Sequence, residues 1–295
     1  MMSAWSRWMT PRVWLWGLFA ASFAALFFPT FRWMAERFDA ADSFYSHGWL
    51  IPLASGWLSW RQREDLARLP RHATWRGLLL LVPCVALHLV ATWLRLGFVS
   101  GFAMLGALYG LVWTCWGGSM LWRLRFPMLF LVFMVPLPGV LLIAISFKMK
   151  LLAASLATWG LHGLGIKAVQ MGSTIQVPGL SVIVDDTCSG LRSLISLIAL
   201  ATMWTALLGP SATRLHKVVI VACAIPIALV ANMIRIITLV LLTAIYGHGI
   251  AEGFIHYGSG VVVFGIALVA LAGISRCLQS TSLPSLGLKQ SPSSS

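Results

Sequence analysis

A chain of 295 residues that is 59% hydrophobic and only 10% charged, with a mean hydropathy of +0.87, lies outside the range of soluble globular domains. Its formal charge of +13 is spread over short loops between apolar runs. Membrane topology explains that pattern, and no nucleic acid partner is expected.

About 20 helical residues cross the hydrocarbon core of a bilayer. Runs of that length are predicted at 13–31, 75–94, 97–116, 126–146, 188–208, 217–246 and 254–275. The first carries small residues (Ala20, Ala21, Ala24, Ala25), as signal peptides do, but its continuation through Phe27, Phe28 and Pro29 marks a retained anchor. Segment 46–60 is shorter. Trp49, Trp57 and Trp60 bracket it as interface anchors do, so it counts as a crossing, with a re-entrant or interfacial helix as the alternative. The predicted fold class is all-α: a polytopic membrane helix bundle of about eight transmembrane helices, with a small extracytoplasmic helix and β-hairpin segment. One transmembrane domain is expected over 1–278, and a Ser- and Pro-rich disordered tail over 279–295.

With the N-terminus placed in the cytoplasm, alternate loops put most of the 21 Lys and Arg inside, among them Arg61, Arg63, Arg68, Arg71, Arg76, Arg123 and Arg125. Most of the eight acids fall outside. This positive-inside pattern predicts a multi-pass protein of the cytoplasmic (inner) membrane with both termini cytoplasmic. The five cysteines are Cys84, Cys115, Cys188, Cys223 and Cys277. They show no metal-ligand spacing and no disulfide framework, so no metal is expected. Only Cys188 falls at the outer face.

Pro136 and Pro138 are expected to kink or end the fifth helix. Phe147–Gly163, with Lys148, Lys150, Trp159 and His162, alternates apolar and polar positions and predicts an amphipathic helix lying in the interface. Residues 173–177 and 180–184 are β-rich and joined by Pro178-Gly179, which predicts a hairpin. The hairpin leads into Asp185-Asp186-Thr187, where Asp186 or Thr187 is the expected N-cap of the sixth helix. Cys188 then falls in the first turn, where the helix dipole favours a thiolate. Ser189 and Gly190 leave room for a substrate backbone and offer amides to an oxyanion. Asp185 and Asp186 act the other way and raise the thiol pKa. The ordinary fate of such a cysteine is a buried, inert side chain.

Arg235 supplies a candidate cation. It lies about 27 Å along a helix from Lys217, near the depth of Cys188, with Asn232 on the same face to orient it. The plain alternative is an arginine snorkelling to headgroups. Arg192, one helical turn after Cys188, is a rival for the same role. His256 opens the last span from the outside, with Gly258 and Gly260 leaving space beside it; alone it reads as a surface residue. The topology brings all three residue types suited to cysteine catalysis to one side, which independent chance would not. His47 is placed to line the same cavity or to sit in headgroups. His88 and His162 have no evident partners.

Asp185-x-x-Cys188-Ser189-Gly190-Leu191-Arg192 before a span, Asn232-x-x-Arg235 in the next and His256-x-x-x-Gly260 in the last resemble the exosortase/archaeosortase family, its bacterial exosortase branch in particular. The stretches Tyr45–Trp60, Phe126–Pro138 and Ala224–Ile236 share the likeness. The resemblance implies a polytopic cysteine endopeptidase or transpeptidase with Cys188, Arg235 and His256 as the catalytic triad. Ser189, Gly190, Arg192, Asn232 and Gly260 would support them. It also implies substrate proteins with a C-terminal sorting signal: a short Pro-Glu-Pro-like motif, a membrane helix and a basic cluster. No cofactor is implied, and membrane lipids are the other expected partners. Two readings from other classes stand beside this one: a serine-type intramembrane protease using Ser189, and a transporter or export component with Arg192, Arg235 and His256 along an anion pathway.

Overall fold

The proline pairs and glycine turns that punctuate the apolar runs decide where each helix starts and stops. The computed structural model describes residues 11–40, 43–208, 212–247 and 254–281. The tail predicted to be disordered falls almost entirely beyond them. The chain divides into two compact units, Met1–Leu137 and Pro138–Ser295.

In the first unit, α1 (Pro11–Leu26) and α2 (Phe28–Asp39) meet at a bend of 65°. Pro29 has no N–H to give the carbonyl one turn back, which breaks the ladder at this point, and Phe27 at the corner is fully buried. A short 3₁₀ turn, Ser46–Trp49, then leads into α3 (Leu50–Arg61). With 12 residues α3 is too short to cross a bilayer alone. After α4 (Arg63–Arg68) come α5 (Leu78–Trp93) and α6 (Gly97–Trp116). These two lie close because glycine stands at their contacts: a Cβ on Gly110 would fall 2.6 Å from the Leu81 nitrogen, and one on Gly106 2.5 Å from the Cys84 sulfur.

The predicted crossing 126–146 does not form. Helix α7 (Gly118–Phe130) ends in a 3₁₀ turn, Leu131–Met134, and the chain is extended from Val135 to Pro138. Pro136 and Pro138 lack N–H groups and push the residues before them out of the helical region. The second unit therefore opens with α8 (Gly139–Gly163), one continuous helix of 25 residues. It absorbs Phe147–Gly163, which is therefore not a helix of its own.

A three-stranded antiparallel sheet follows, in the order β1 (Val169–Met171), β2 (Thr174–Val177), β3 (Leu180–Ile183). The predicted hairpin is its second half, with Ile175 opposite Val182 and Gly179 at φ +79° in the turn. The extra strand β1 pairs with β2 through Gln170 and Ile175. The remaining helices are α9 (Leu191–Leu207), α10 (Arg214–Tyr246) and α11 (Phe254–Thr281).

Helix α10 is the centre of this unit and packs against α8, α9 and α11. One core joins Ala153, Ala157 and Leu161 of α8 to Ile236 and Val240 of α10, with Ile175, Val184 and Cys188 over them. Another joins Leu197 and Ala201, Ala224 and Ala228, and Ala267 and Leu271 from α9, α10 and α11. Alanines at these positions let the helix axes approach, the usual device where lipid removes the hydrophobic drive.

Among the described residues four helical stretches are long and apolar enough to cross a membrane: Trp75–Trp93, Gly97–Trp116, Gly139–Gly163 and Arg214–Tyr246. The bent pair α1–α2 makes five if it is one span. The all-helical membrane character matches the sequence reading. The count of eight is not reached by length and composition, because Leu191–Leu207 and Phe264–Cys277 are shorter apolar helices.

Candidate active site

Val184 ends the sheet by donating its N–H to the Ser173 carbonyl at 2.9 Å. The chain then makes a tight loop where the sequence suggested a helical turn. The Asp185 carboxylate accepts from the Thr187 hydroxyl at 2.7 Å and from the Cys188 amide at 2.8 Å. The Ser189 amide and hydroxyl both point to the Asp186 carbonyl, at 3.3 and 2.7 Å. Gly190 has φ +78° and caps α9, whose first helical residue is Leu191.

Three expectations change as a result. Neither Asp186 nor Thr187 is the N-cap. Cys188 stands before the helix rather than in its first turn, so the dipole, which acts within that turn, is not its main influence. The Ser189 amide is spent on Asp186 and is not a spare oxyanion donor. The cause of all three is local competition: a short acidic side chain offers the backbone an alternative to the helix, and the left-handed glycine stops the helix from extending backwards.

Helix α10 holds this loop from the other side. Asn232 Nδ2 donates to the Cys188 carbonyl at 2.9 Å, and Arg235 Nη1 to the Thr187 carbonyl at 3.0 Å. The two side chains, one turn apart, thus grip consecutive carbonyls. Asn232 is buried, and a Cβ on Gly190 would fall 2.8 Å from its amide carbon. Gly190 is therefore required both for its dihedral angle and for the closeness of Asn232. Arg192 lies half-buried in the first turn of α9. Cys188 is not helical, so the two share no helix face and the proposed one-turn relation between them does not hold.

The second acid has partners that sequence reasoning missed. Asp186 Oδ1 accepts from the Ser146 hydroxyl at 2.8 Å and pairs with Lys150 Nζ at 3.1 Å. These contacts, the Ser146 hydrogen bond first, hold its carboxyl below the usual carboxylate range. The available signal was Ser146 and Lys150, one turn apart on the same side of α8.

Cys188 is buried, with 6% of its surface exposed, and its thiol is pushed up to about 11. Burial is the main cause. The Arg235 charge opposes it, while the charge of Asp185 and the hydrogen bond to its carboxylate add to it. The resting group is a thiol, and Arg235 is the cation that counters Asp185, as the residue types suggested. Asp186 is neutralised locally by Lys150.

His256 and Gly260 fall in the opening turns of α11. Their side chains lie outside the described residues. Further along, α11 packs on α10, and a cavity of about 30 Å³ between them and α9 is bounded by Ser193, Ala228, Asn232, Arg235 and Phe264. That is room for about one water, beside the guanidinium that grips the loop. The other histidines are placed differently from each other. His47 stacks on Tyr45 in the first unit. His88 is buried there among polar partners. His162 bonds the Ala168 carbonyl at 2.7 Å. Among the described residues no group of His, Cys, Asp or Glu is arranged to hold a metal ion.

The loop, the two α10 side chains and His256 all fall within one stretch of similarity to known proteins. A family model described as transmembrane exosortase matches residues 33–273. No curated protein and no solved structure matches the chain. A match over most of the sequence, including every motif that forms the loop and its clamp, places this chain in the transmembrane exosortase family.

Proposed function

We propose that this protein cleaves the C-terminal sorting signal of exported proteins at the outer face of the cytoplasmic membrane, with Cys188 as nucleophile. The observation that carries this reading is the clamp. Asn232 and Arg235 of α10 hold the carbonyls of Cys188 and Thr187, which fixes a buried thiol beside a guanidinium on a non-helical loop. That arrangement supports a reactive role for the thiol over one of packing alone.

The substrate is tethered by its own membrane helix, with its basic cluster on the cytoplasmic side and its recognition motif at the loop. Both termini of the enzyme are cytoplasmic.

The thiol pKa of about 11 dictates the order of events. At neutral pH almost no free thiolate is present, so the proton leaves as the sulfur attacks. His256 accepts it as general base and returns it to the leaving amine. The sulfur–carbonyl bond forms, the carbon–nitrogen bond breaks, and a thioester remains. Arg235 stabilises the negative charge that develops on the sulfur and on the carbonyl oxygen. Asn232 positions the loop. Water or an amine, lipid or sugar nucleophile then releases the product.

Ser189 is a poor alternative nucleophile: its hydroxyl is fully buried and donates to the Asp186 carbonyl. Processing of a substrate carrying the sorting signal, compared between the parent protein and Cys188→Ala and Ser189→Ala variants, tests the reading. Cys188→Ala is expected to leave substrate uncut and Ser189→Ala to retain cleavage; the reverse pattern would assign the chemistry to the serine.

A further inference from the structure

The first unit holds a cavity, mostly apolar but lined by hydroxyl side chains and one arginine, that cysteine chemistry does not use. It measures about 160 Å³, room for about five waters. Pro29 and Trp33 of α2 form one wall, Ala91 and Arg95 at the end of α5 another, and Thr30 and Ser100 the floor. Three features of it point to a ligand.

Arg95 is the first. Among the described residues it is the one non-glycine with a positive φ, at +58°. It sits where α5 ends, and the Leu96 amide reaches back over it to the Ala91 carbonyl at 2.8 Å. Glycine is the ordinary choice at such a helix end, and an arginine there is strained. No described carboxylate lies within ion-pair distance of it. Strain kept at a residue whose charged side chain lines a cavity is a pointer to use.

Gly97 is the second. A Cβ there would fall 2.4 Å from the Trp33 ring. The glycine two residues after Arg95 therefore serves to seat the indole that closes the wall, while Arg95 itself remains strained.

The direction of the hydrogen bonds at the floor is the third. His88 is 1% exposed and its Nε2 faces the Leu26 carbonyl at 3.0 Å. A carbonyl only accepts, so Nε2 carries the proton, and in the neutral ring Nδ1 is an acceptor. The Ser100 hydroxyl at 2.7 Å then donates to Nδ1, and the Thr30 hydroxyl at 2.5 Å donates to the Ser100 oxygen. Both hydroxyl hydrogens are directed towards the ring. Thr30 and Ser100 are each 2% exposed, and what they have left for the cavity is oxygen lone pairs. The site therefore offers a cation at Arg95, acceptors at the floor and, on the α5 wall, the Thr92 hydroxyl, which lies 3.5 Å from His88 Nδ1.

The complementary ligand has an anion at one end and a hydrogen-bond donor at the other, a short chain apart. The cavity's surroundings narrow the choice. Trp93, Leu94 and Leu96 beside Arg95 are exposed, at 82%, 50% and 40%, and in a membrane such side chains face acyl chains. We propose that the cavity binds a phosphodiester headgroup carrying a terminal hydroxyl or ammonium, phosphoglycerol or phosphoethanolamine, with the phosphate on Arg95 and the donor on Thr30 and Ser100. A phosphocholine headgroup has the same phosphate but no donor.

The test uses the full-length protein in detergent, with native mass spectrometry and thermal melting. The probes are short-chain phosphatidylglycerol, phosphatidylethanolamine and phosphatidylcholine, and soluble glycerophosphoethanolamine. The glycerol and ethanolamine lipids are expected to bind about tenfold more tightly than the choline lipid, the effect of one charge-assisted or buried hydrogen bond. Arg95→Gly removes the guanidinium and relieves the strain, so it is expected to lose lipid while melting at the same or a higher temperature. Thr30→Val is expected to erase the preference over choline. Soluble glycerophosphoethanolamine binding as well as the lipid would assign the same chemistry to a free ester, and its failure to bind would assign it to the membrane. Unchanged binding by Arg95→Gly, or equal binding of all three lipids, would overturn the proposal.

Discussion

Two polar insets interrupt the apolar helices of this protein, and they are built on opposite plans. Around His88, each ring nitrogen has a partner at hydrogen-bond distance, and the donors and acceptors agree along the chain Thr30, Ser100, His88, Leu26. Around Cys188, Asn232 and Arg235 spend hydrogen bonds on the backbone of the loop, and the thiol at its centre is left in conflict. Burial and Asp185 disfavour its ionisation, while Arg235 favours it. The first arrangement is a satisfied network, costly to disturb but chemically quiet. The second holds a group whose protonation state a neighbour can shift, the condition for chemistry.

Substitutions separate the two plans. The largest expected effect is at Cys188: Cys188→Ala abolishes processing in a membrane assay while the purified protein melts within a few degrees of the parent. His88→Ala should do the reverse. It strands buried hydroxyls and a carbonyl, costs about 1–3 kcal/mol of stability, and leaves the processing rate per folded molecule unchanged. A normal melting temperature for His88→Ala would remove the contrast.

Next in size is Arg235→Lys. An ammonium keeps the charge but not the planar fork that reaches the Thr187 carbonyl, so a fall in processing rate of about tenfold or more is expected. The titration of Cys188 sharpens the same point. With its pKa raised to about 11, the thiolate fraction at pH 7 is about 10⁻⁴. Alkylation of Cys188 by a small reagent should be slow at neutral pH and climb with pH to a plateau near that value. Arg235→Ala should slow it further. Fast labelling at pH 7 would show that Arg235 dominates burial.

The smallest effect concerns Asp186. Its folded-state pKa is depressed, so the stability it contributes is present above the unfolded carboxylate value near pH 4 and lost as pH falls through the lower folded value. The pair with Lys150 is half-exposed on the acid's side, and such pairs contribute about 0–1 kcal/mol. Lys150→Ala should flatten the acid limb of the stability profile and change little at neutral pH.

What the sequence made legible, and what it did not, follows the range of the interactions. The membrane class and the long helices are written in composition. The hairpin is written in Pro178-Gly179, and the grouping of Cys188 with Asn232 and Arg235 in the order of the motifs. Apolar runs, however, read straight through Pro136 and Pro138, which hides the end of α7 and the start of α8. The Asp-Asp-Thr run looked like a helix cap because capping rules see only neighbours. The left-handed Gly190 is fixed by Asn232, 42 positions on, and the loop is shaped from α10. Ser146 and Lys150 meet Asp186 only after the sheet turns the chain back. The His88 network depends on the Leu26 carbonyl, left at the end of α1 by a bend that hydropathy does not register.

The central claim is that sulfur of Cys188 forms the bond to the substrate. Incubating the full-length protein with a sorting-signal substrate, quenching in acid and measuring the intact mass tests it most directly. The account predicts an adduct equal to the N-terminal product less one water, mapped to Cys188 and absent from Cys188→Ala. Cleavage without such an adduct in the Cys188→Ala protein, or an adduct mapped to Ser189, would contradict it.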